Sequence, residues 1–392
     1  MAPLRTALIG LSASAKVTWA ADAHLAYLLS PRGRQHFSLT ALLNSSVSAA
    51  EAAKREFQLP ERVKTYGDPA ALAADSDVDL VVCCTRVDVH FPTIAPALRA
   101  GKGVYVEWPV AENLARALEL TQGVGVPNSV VGLQGRVMPV ALRLKEILAA
   151  GTIGAVLSSD VKAFGNLLAR DGLPEGLTYF ADRRVGGHPV NISWGHTIDY
   201  VHEVLGEFED FRARMQIQRP QLKVFDAEGR EKGMVKSDVP DLLALHGTLK
   251  KSEGRIRVVD GAVLSATFRL GPPFKGEPGF VWTINGEKGE LLITAPGPYI
   301  FSGDSYNGPV SIKLHDHLTH QVRELGWEWQ DWQKELPIRA RITGEVYERY
   351  AEWVENGMGE VKEGREWPRL GDGLERMREF ERLYGDFDPN WK

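Results

Sequence analysis

The sequence predicts an α/β protein, with a doubly wound parallel sheet first and an α+β domain with a mostly antiparallel sheet after it. Three observations support this prediction. Strand-like and helix-like segments alternate over about the first 125 residues, which is typical of βαβ units. The strings DLVVCC and GVYVEW are almost wholly apolar, as strands buried on both faces are. From Gly154 onwards longer strand-like stretches dominate, at the spacing of an antiparallel sheet.

Local patterns of residues predict each element in order. Apolar runs indicate the strands, and apolar residues at helical spacing indicate the helices. In the first part the predicted strands are 5–10, 38–44, 78–85, 103–107 and 129–134, and the predicted helices are 17–29, 49–57, 91–100, 111–120 and 137–150. In the second part the predicted strands are 155–164, 211–224, 262–270, 279–285 and 290–294, and the predicted helices are 193–205, 338–357 and 371–384.

Composition excludes several classes of protein. The chain has 392 residues, of which 44% are hydrophobic and 25% are charged, so it has enough apolar residues for a large core. Its length predicts two domains. The net charge of −5 offers no basic excess to neutralise phosphates, so no direct nucleic-acid partner is expected.

Cysteine usage and hydropathy predict the location. The two cysteines, Cys83 and Cys84, are adjacent, which excludes a disulfide framework and favours a reducing compartment. Apolar runs fall short of the roughly 18 residues of a membrane span, so no membrane partner is expected. Residues 5–15 loosely resemble a signal peptide, but their apolar core is short and fits a first strand better. We therefore expect a cytoplasmic protein.

A loop of small residues follows the first predicted strand. Its sequence, GLSASA at 10–15, partly matches the dinucleotide fingerprint G-x-G-x-x-G/A. Gly10 keeps the tight turn, Ser12 replaces the second glycine and Ala15 satisfies the last position. Small residues let backbone N–H groups approach a pyrophosphate. The position of the loop in a βαβ series predicts a Rossmann domain that binds NAD(P).

The end of the second strand bears on which nucleotide binds. Enzymes specific for NAD usually carry Asp or Glu there, to bind the ribose 2′-hydroxyl. This chain has Asn44, Ser45 and Ser46, which would not repel a 2′-phosphate. The pattern favours NADP(H), and NAD(H) stays possible because no arginine clamp follows. The alternative interpretation is a surface turn with no role in choosing the nucleotide.

Further motifs occur in the order and spacing of one family. They are TRVDVH at 85–90, YVEWP at 105–109, GTIG at 151–154, GG at 186–187, GHTID at 195–199, INGEKGELLIT at 284–294 and GDGL at 371–374. The chain resembles the glucose–fructose oxidoreductase/inositol dehydrogenase/MocA family of NAD(P)-dependent oxidoreductases over nearly its whole length. The strings YVEW, LQGR, GHTID and VPDLLALHGTL are most similar to the fungal branch that contains the galactose-regulon repressor.

The resemblance implies a fold and a set of cofactor contacts. It implies a Rossmann domain at 1–127, an α+β domain with a large open sheet at 128–369, and a last helix at 370–392 that packs back on the Rossmann domain. The open sheet usually forms a homodimer interface. Thr85, His90, Glu107, Trp108 and Pro109 fall at family positions near the cofactor, and Glu107 is implied to bind the nicotinamide ribose.

Two departures from the family pattern concern catalysis. The lysine of the family's E-K-P motif is Trp108 here, and its usual aspartate falls at Ile192, whereas the histidine is kept as His196. An indole N–H is only a donor and cannot move a proton. The protein is therefore either a non-catalytic cofactor sensor or an enzyme with another proton donor. An indole beside the nicotinamide would favour flat or apolar substrates through stacking.

Three residues are candidates for the chemistry of hydride transfer to a small-molecule substrate. His196 is the first, since histidine is the side chain type that ordinarily titrates near neutrality, and it is expected at the start of a helix. Arg136 follows the strand predicted at 129–134 and would clamp a carboxylate or an oxyanion. Tyr179, beside two arginines, would act as a general acid, with loop packing as the alternative role.

The predicted substrate is a small carbonyl, imine or activated C=C compound, of the kind that fungal secondary metabolism produces. The alternative is a transcriptional regulator that senses the nucleotide. The spacing His315-x-His317-x-x-His320 resembles a metal cluster. No metal is expected, since no acidic residue or cysteine completes the cluster apart from Asp316, which would face the other way on a strand.

Overall fold

The computed structural model describes residues 2–14, 19–122, 128–165, 170–298, 300, 304–305 and 308–388. The chain divides into two compact units. The first comprises Met1–Gln134 and Gln330–Arg378, and the second comprises Gly135–Trp329 and Glu379–Lys392. The sequence predicts boundaries at residues 127 and 369. The segment 330–369, expected in the second domain, is instead part of the first unit.

A six-stranded parallel sheet forms the core of the first unit. Its strands are β1 (Leu4–Ile9), β2 (Phe37–Leu43), β3 (Lys64–Tyr66), β4 (Leu80–Cys83), β5 (Gly103–Val106) and β6 (Ser129–Val131). They lie in the order β3-β2-β1-β4-β5-β6. Successive strands are therefore added in one direction from β1 to β3 and in the opposite direction from β4 to β6, and the switch point lies between β1 and β4. Leu8 lies opposite Leu42 and Val82, and all three are fully buried. Parallel strands buried on both faces are apolar throughout, which is why the sequence reveals them.

Helices flank this sheet. They are the π-helical Ala20–Leu25 with its continuation Ala26–Leu28, Gly33–His36, Val47–Glu56, Pro69–Ala74, His90–Arg99, Leu114–Thr121, Asp331–Lys334, Ile338–Glu355 and the first half of Leu370–Phe387. The carboxylate of Asp68 caps Pro69–Ala74 by accepting from the backbone N–H groups of Ala70 and Ala71. The sequence pattern misses this helix and β3 because both are too short to show a period.

Aromatic packing explains why helix Ile338–Glu355 belongs to the first unit. Tyr27 stacks on Tyr347 with ring centroids 5.1 Å apart and an interplanar angle of 9°. The Tyr27 hydroxyl donates to Glu348 at 2.7 Å. A Cβ at Gly344 would lie 2.7 Å from the Tyr27 ring, so this close approach needs glycine. Sequence periodicity reveals the helix, but its partner is a distant segment of the chain.

An eight-stranded, mostly antiparallel sheet dominates the second unit. The strands of this unit are β7 (Val156–Phe164), β8 (Gly172–Pro174), β9 (Phe208–Gln216), β10 (Gln221–Phe225), β11 (Glu231–Lys236), β12 (Leu242–Leu249), β13 (Val258–Arg269), β14 (Phe280–Gly286), β15 (Gly289–Ala295), β16 (Asp304–Ser305), β17 (Gly308–Pro309), β18 (Ser311–Asp316) and β19 (Val322–Glu324). The large sheet has the order β19-β18-β15-β14-β7-β13-β12-β9, with only the β7–β13 pair parallel. This architecture confirms the predicted fold class.

One face of the large sheet is covered within its own unit. Trp282 on β14 is fully buried, and helix Gly195–Leu205 packs on this face through Tyr200, whose ring centroid lies 6.2 Å from that of Trp282. The opposite face carries polar or half-exposed residues at alternate positions, such as Asp160 and Thr283. The sheet is therefore open on one side, as the family resemblance implies.

The predicted strand 211–224 is two strands. β9 joins the large sheet, whereas β10 joins a small sheet of order β11-β10-β8. Pro220, which has no N–H to give to a ladder, lies between them. Among the described residues, no helix combines the length and the apolar character that crossing a membrane requires.

Candidate functional site

The glycine turn lies where the carboxyl ends of three strands of the first unit meet. Gly10 follows β1, its N–H donates to the carbonyl of Leu43 at 3.1 Å, and its φ is +90°. A Cβ at this position would lie 2.6 Å from the carbonyl oxygen of Cys84, at the end of β4. Both the torsion and the space therefore demand glycine. The turn lies at the switch point of the sheet, where open α/β sheets bind their ligands.

The rest of the loop is held by its own side chains. The Ser12 hydroxyl accepts from the backbone N–H of Ser14 at 3.2 Å, so the residue that replaces the second glycine shapes the turn. Ala15, the third predicted residue, lies outside the described residues. The loop combines small side chains with a backbone conformation at Gly10 that only glycine adopts easily. Together they form a cradle of the kind that a pyrophosphate occupies.

The end of β2 braces the same loop. The Asn44 side-chain amide donates to the carbonyl of Leu11 at 2.7 Å. The Ser46 hydroxyl caps helix Val47–Glu56 by accepting from the N–H of Ala49 at 3.1 Å. Ser45 is exposed, and within the described chain its hydroxyl makes no hydrogen bond. Of the three residues predicted to face the ribose, Asn44 and Ser46 thus have structural partners, and Ser45 is the most available.

His90 is a buried support. One ring nitrogen lies 3.0 Å from the carbonyl oxygen of Thr85 and the other lies 3.0 Å from that of Pro109. Burial lowers the pKa of His90, which favours the neutral ring, and a neutral imidazole has a single N–H to donate. The ring therefore lies between the segments that follow β4 and β5 and donates to only one of the two carbonyls at a time. The cofactor contact that the sequence motif suggested stays a prediction.

Glu107 is the centre of a buried polar network in the first unit. Its carboxylate accepts from His24 Nε2 at 2.7 Å and from Gln134 Nε2 at 2.9 Å. A Cβ at Gly132 would lie 2.3 Å from its Oε2, so glycine makes room for the carboxylate. The sequence does not point to these two partners, although Gln134 lies in the string LQGR. This network orients Glu107, and its bond to a ribose stays a prediction.

Trp108 is joined to Pro109 by a cis peptide bond. Only 4% of its surface is exposed, so the indole lies in the interior of the folded chain. Its predicted stacking on a substrate stays a prediction.

In the second unit, Arg136 is bound by carboxylates. Its Nε and Nη2 donate to the two oxygens of Asp199, at 2.9 and 2.7 Å, and Glu203 lies 3.5 Å from Nη1. Lys145 in turn lies 2.5 Å from Glu203. Asp199 is 1% exposed. The guanidinium edge of Arg136 that would clamp a substrate oxyanion is therefore already occupied by Asp199. The sequence did not reveal Asp199 as this partner.

His196 lies further inside its helix than predicted. The helix begins at Val190 with a π-helical segment, Val190–Trp194, which Gly195–Leu205 continues. His196 is therefore in its second turn, with 7% of its surface exposed. Because the helix does not start at Gly195, the dipole of a helix start does not act on this imidazole.

Tyr179 lies in the helical turn Glu175–Ala181, half-buried, with its ring edge-on to Phe180 at 4.8 Å. The positive charges of the two neighbouring arginines, Arg183 and Arg184, are shared with carboxylates and do not act only on the phenol of Tyr179. Arg184 pairs with Asp182 at 2.8 Å, and Arg183 pairs with Asp388 at 2.9 Å. The packing role is thus favoured over general acid catalysis.

His188 is a buried histidine that no motif in the sequence indicates. It is fully buried, and its Nε2 lies 3.3 Å from the hydroxyl of Tyr384, which donates to Asn191 at 2.8 Å. Burial, with a smaller contribution from the nearby charge of Arg183, lowers the pKa of His188 to about 3. The ring is therefore neutral in the folded protein at ordinary pH.

This depressed pKa makes the stability of the fold sensitive to acid. An unfolded histidine titrates near 6.5, so the unfolded chain binds more protons than the folded one between that pH and about 3. Stability is therefore lost as the pH falls through this window. We expect wild type to lose about 2 kcal/mol more than His188→Gln between pH 7 and about pH 5. Urea unfolding at both pH values measures this, and equal losses would contradict it.

Comparisons with known proteins agree with this geometry. Residues 4–126 match an oxidoreductase family with an NAD-binding Rossmann fold, and residues 139–295 match the C-terminal domain of Gal80p. Dehydrogenase aclE of Aspergillus oryzae is 35% identical over 271 residues, which cover 67% of this chain and 69% of that protein. The regulatory protein GAL80 of Kluyveromyces lactis is 26% identical over 310 residues, 76% of this chain and 65% of that protein. The chain thus spans about two thirds of the length of these relatives.

Solved structures show the same fold. A super-repressor mutant of Gal80p from Saccharomyces cerevisiae has a TM-score of 0.81 at 23% identity, covering 98% of this chain and 96% of that one. Levoglucosan dehydrogenase in complex with NADH and levoglucosan has a TM-score of 0.72 at 18% identity, with 98% and 96% covered.

Proposed function

Because the chain belongs to the glucose–fructose oxidoreductase/inositol dehydrogenase/MocA family, we propose that it is an NAD(P)H-dependent oxidoreductase that reduces a small organic molecule. The observation that carries the proposal is the turn at Gly10, where backbone torsion and the carbonyl of Cys84 leave room for no side chain. A cradle of this kind accommodates the pyrophosphate of a dinucleotide. The 35% identity to a protein named as a dehydrogenase supports the same assignment.

The proposed reaction transfers a hydride to carbon and a proton to the atom that accumulates negative charge. The reduced nicotinamide supplies the hydride when bound. In a ketone the proton goes to oxygen, in an imine to nitrogen, and in an activated C=C compound to the α-carbon. His196 is our candidate proton donor, since the family's lysine is Trp108 here and an indole does not release a proton at neutral pH. Imines and activated C=C compounds make the smaller demand on an acid.

We propose NADPH as the preferred nucleotide, because no acidic residue follows β2 and Ser45 is exposed there. Ser45→Asp is expected to weaken NADPH binding about tenfold through repulsion of the 2′-phosphate, with little change for NADH. Fluorescence titration of both nucleotides measures this. Ser45→Ala is the matched control, since it removes the hydroxyl without adding charge. An equal effect of Ser45→Asp on both nucleotides would rule out this site as the source of preference.

A second candidate function is regulation. Residues 139–295 match the C-terminal domain of Gal80p, and the position of the family's lysine carries Trp108. Both features fit a protein that binds the nucleotide as a signal and contacts a transcription activator. We rank this function second because the relative with the higher identity, 35% against 26%, is named as a dehydrogenase.

Turnover distinguishes the two functions. The experiment follows NADPH and NADH consumption with a panel of ketones, imines and enones, together with nucleotide affinity. The enzyme hypothesis expects turnover with at least one class, and a lower kcat with unchanged nucleotide affinity in His196→Ala. Tight nucleotide binding with no turnover, together with binding of an activator peptide, would favour the regulator. Failure to bind either nucleotide would refute both.

We also propose that two copies associate through the open face of the large sheet. Val263 on β13, which is 43% exposed, adds an apolar side chain to this face of the sheet. Sedimentation equilibrium of the whole protein checks the proposal. A monomer at micromolar concentration would overturn it.

A further inference from the structure

Three histidines and a glutamate gather at one edge of the large sheet. His315 lies near the end of β18, and Glu290 on β15 lies directly opposite it in the antiparallel register. His317 follows in the turn between β18 and β19. One ligand atom from each of these three side chains lies within 4.8 Å of the other two. We refer to Glu290, His315 and His317 as the His315 cluster.

The turn that carries the cluster is held in shape by other groups. The carboxylate of Asp316 accepts from the N–H groups of Leu318 and Thr319, at 2.9 and 2.8 Å. The N–H of His317 donates to the carbonyl of Lys288 at 3.0 Å, which ties the turn to the hairpin between β14 and β15. Asp316 is therefore engaged with the turn itself, and the imidazoles project from a braced backbone.

A third imidazole is close by. His320 has a φ of +56°, and its ring centroid lies 6.1 Å from that of His315. The rings of His315 and His317 are 5.4 Å apart. A non-glycine residue in the left-handed region is uncommon, although histidine is among those enriched there. The turn thus brings all three rings to one side of the hairpin.

Within the part of the chain that the structure describes, no hydrogen bond or ion pair engages the side chains of the His315 cluster. All three side chains are half-buried, and each offers a lone pair to its neighbours. Lys313, two residues before His315 on the same face, lies opposite Glu324 in the antiparallel register.

We propose that the His315 cluster binds one first-row divalent cation, and that zinc fits it best. Two imidazoles and one carboxylate are a donor set that zinc takes, with a fourth position left for His320 or water. The sequence predicts no metal because no acidic residue completes the histidine pattern along the strand. The structure supplies that residue from the neighbouring strand, as Glu290. A bound ion would link β15 to the β18–β19 hairpin at the sheet edge.

The test is a zinc titration of the whole protein after removal of metals with EDTA and exchange into chelator-free buffer. Isothermal calorimetry is expected to show one site per chain. The double variant His315→Ala/His317→Ala is expected to bind zinc about 100-fold more weakly or worse. Removing groups that only contact the metal ligands already costs about 10–100-fold in affinity, and this variant removes two ligands. Cobalt in place of zinc is expected to give the intense visible absorption of a tetrahedral site.

The matched control is His246→Ala, which removes an exposed histidine from β12 on the same sheet. This variant is expected to bind zinc as the wild type does. Circular dichroism of the double variant shows whether the fold is retained, and Glu290→Gln, which keeps the size of the side chain, gives a second test. If the wild type did not bind zinc, the proposal would be overturned. It would also be overturned if the wild type, the double variant and Glu290→Gln bound zinc with equal affinity.

Discussion

Gly10→Ala is expected to abolish detectable nucleotide binding and to destabilise the first unit by about 2–5 kcal/mol. The methyl group would meet the carbonyl oxygen of Cys84 at 2.6 Å, and the backbone holds a φ of +90° that alanine disfavours. Left-handed torsion costs about 1–2 kcal/mol and overpacking costs about 1–3 kcal/mol. Relief of the clash must move the turn at the switch point. Nucleotide titration and urea unfolding measure the two effects.

Gly101→Ala is the matched control for the Gly10 substitution. Gly101 also has a positive φ, of +75°, but a Cβ there would have no neighbour within 4 Å. It is expected to cost only about 1–2 kcal/mol, from torsion, and to leave nucleotide affinity unchanged. If both variants bound nucleotide like the wild type, the turn at Gly10 would not be the pyrophosphate site.

Asp199→Ala is expected to cost about 3 kcal/mol of folding free energy in the second unit. It removes the buried carboxylate that accepts two hydrogen bonds from Arg136, and it leaves the guanidinium with Glu203 as a weaker partner at 3.5 Å. Breaking a buried pair costs about 3–5 kcal/mol because the remaining charge has lost its compensation. The remaining contact with Glu203 places this variant at the lower end. Chemical denaturation gives the free energy of unfolding.

Two further variants separate burial from charge pairing. Glu119→Ala removes one of the two acidic partners of Arg116, in an exposed pair, and is expected to cost less than about 1 kcal/mol. The double change Arg136→Met/Asp199→Leu removes both buried charges and is expected to recover much of the lost stability. A loss in Asp199→Ala as small as that in Glu119→Ala would show that the Arg136 pair does not stabilise the fold.

Local sequence patterns predict most of the fold because the physical signals are themselves local. The four fully buried residues of β4 form a continuous apolar run. Gly10 is recognised because it directly follows the apolar run of β1 and begins a loop of small residues. The strand predicted at 211–224 is wrong in its extent because hydropathy does not register the break at Pro220. The start of the helix that carries His196 is misplaced for a similar reason, since Gly195 is helical here.

Sequence patterns predict the candidate site only in part. Gly10 is found because its motif is compact. The partners of Glu107 are missed because His24 and Gln134 lie on other segments, and the carboxylate of Asp199 is missed as the partner of Arg136. Roles assigned to single residues, such as the clamp by Arg136, depend on which side chains surround them. A residue type states what a side chain is able to do, and its neighbours decide what it does.

The sequence by itself determined the alternation of strands and helices, the need for glycine after β1 and the family resemblance, because each of these is a property of consecutive residues or of short strings in order. Only the tertiary structure decided that helix Ile338–Glu355 belongs with the first unit, that Arg136 is bound by Asp199 and that Glu290 faces His315. Each of these pairs residues that are remote along the chain. Side-chain partners across such separations follow from sheet register and packing, which local propensities do not specify.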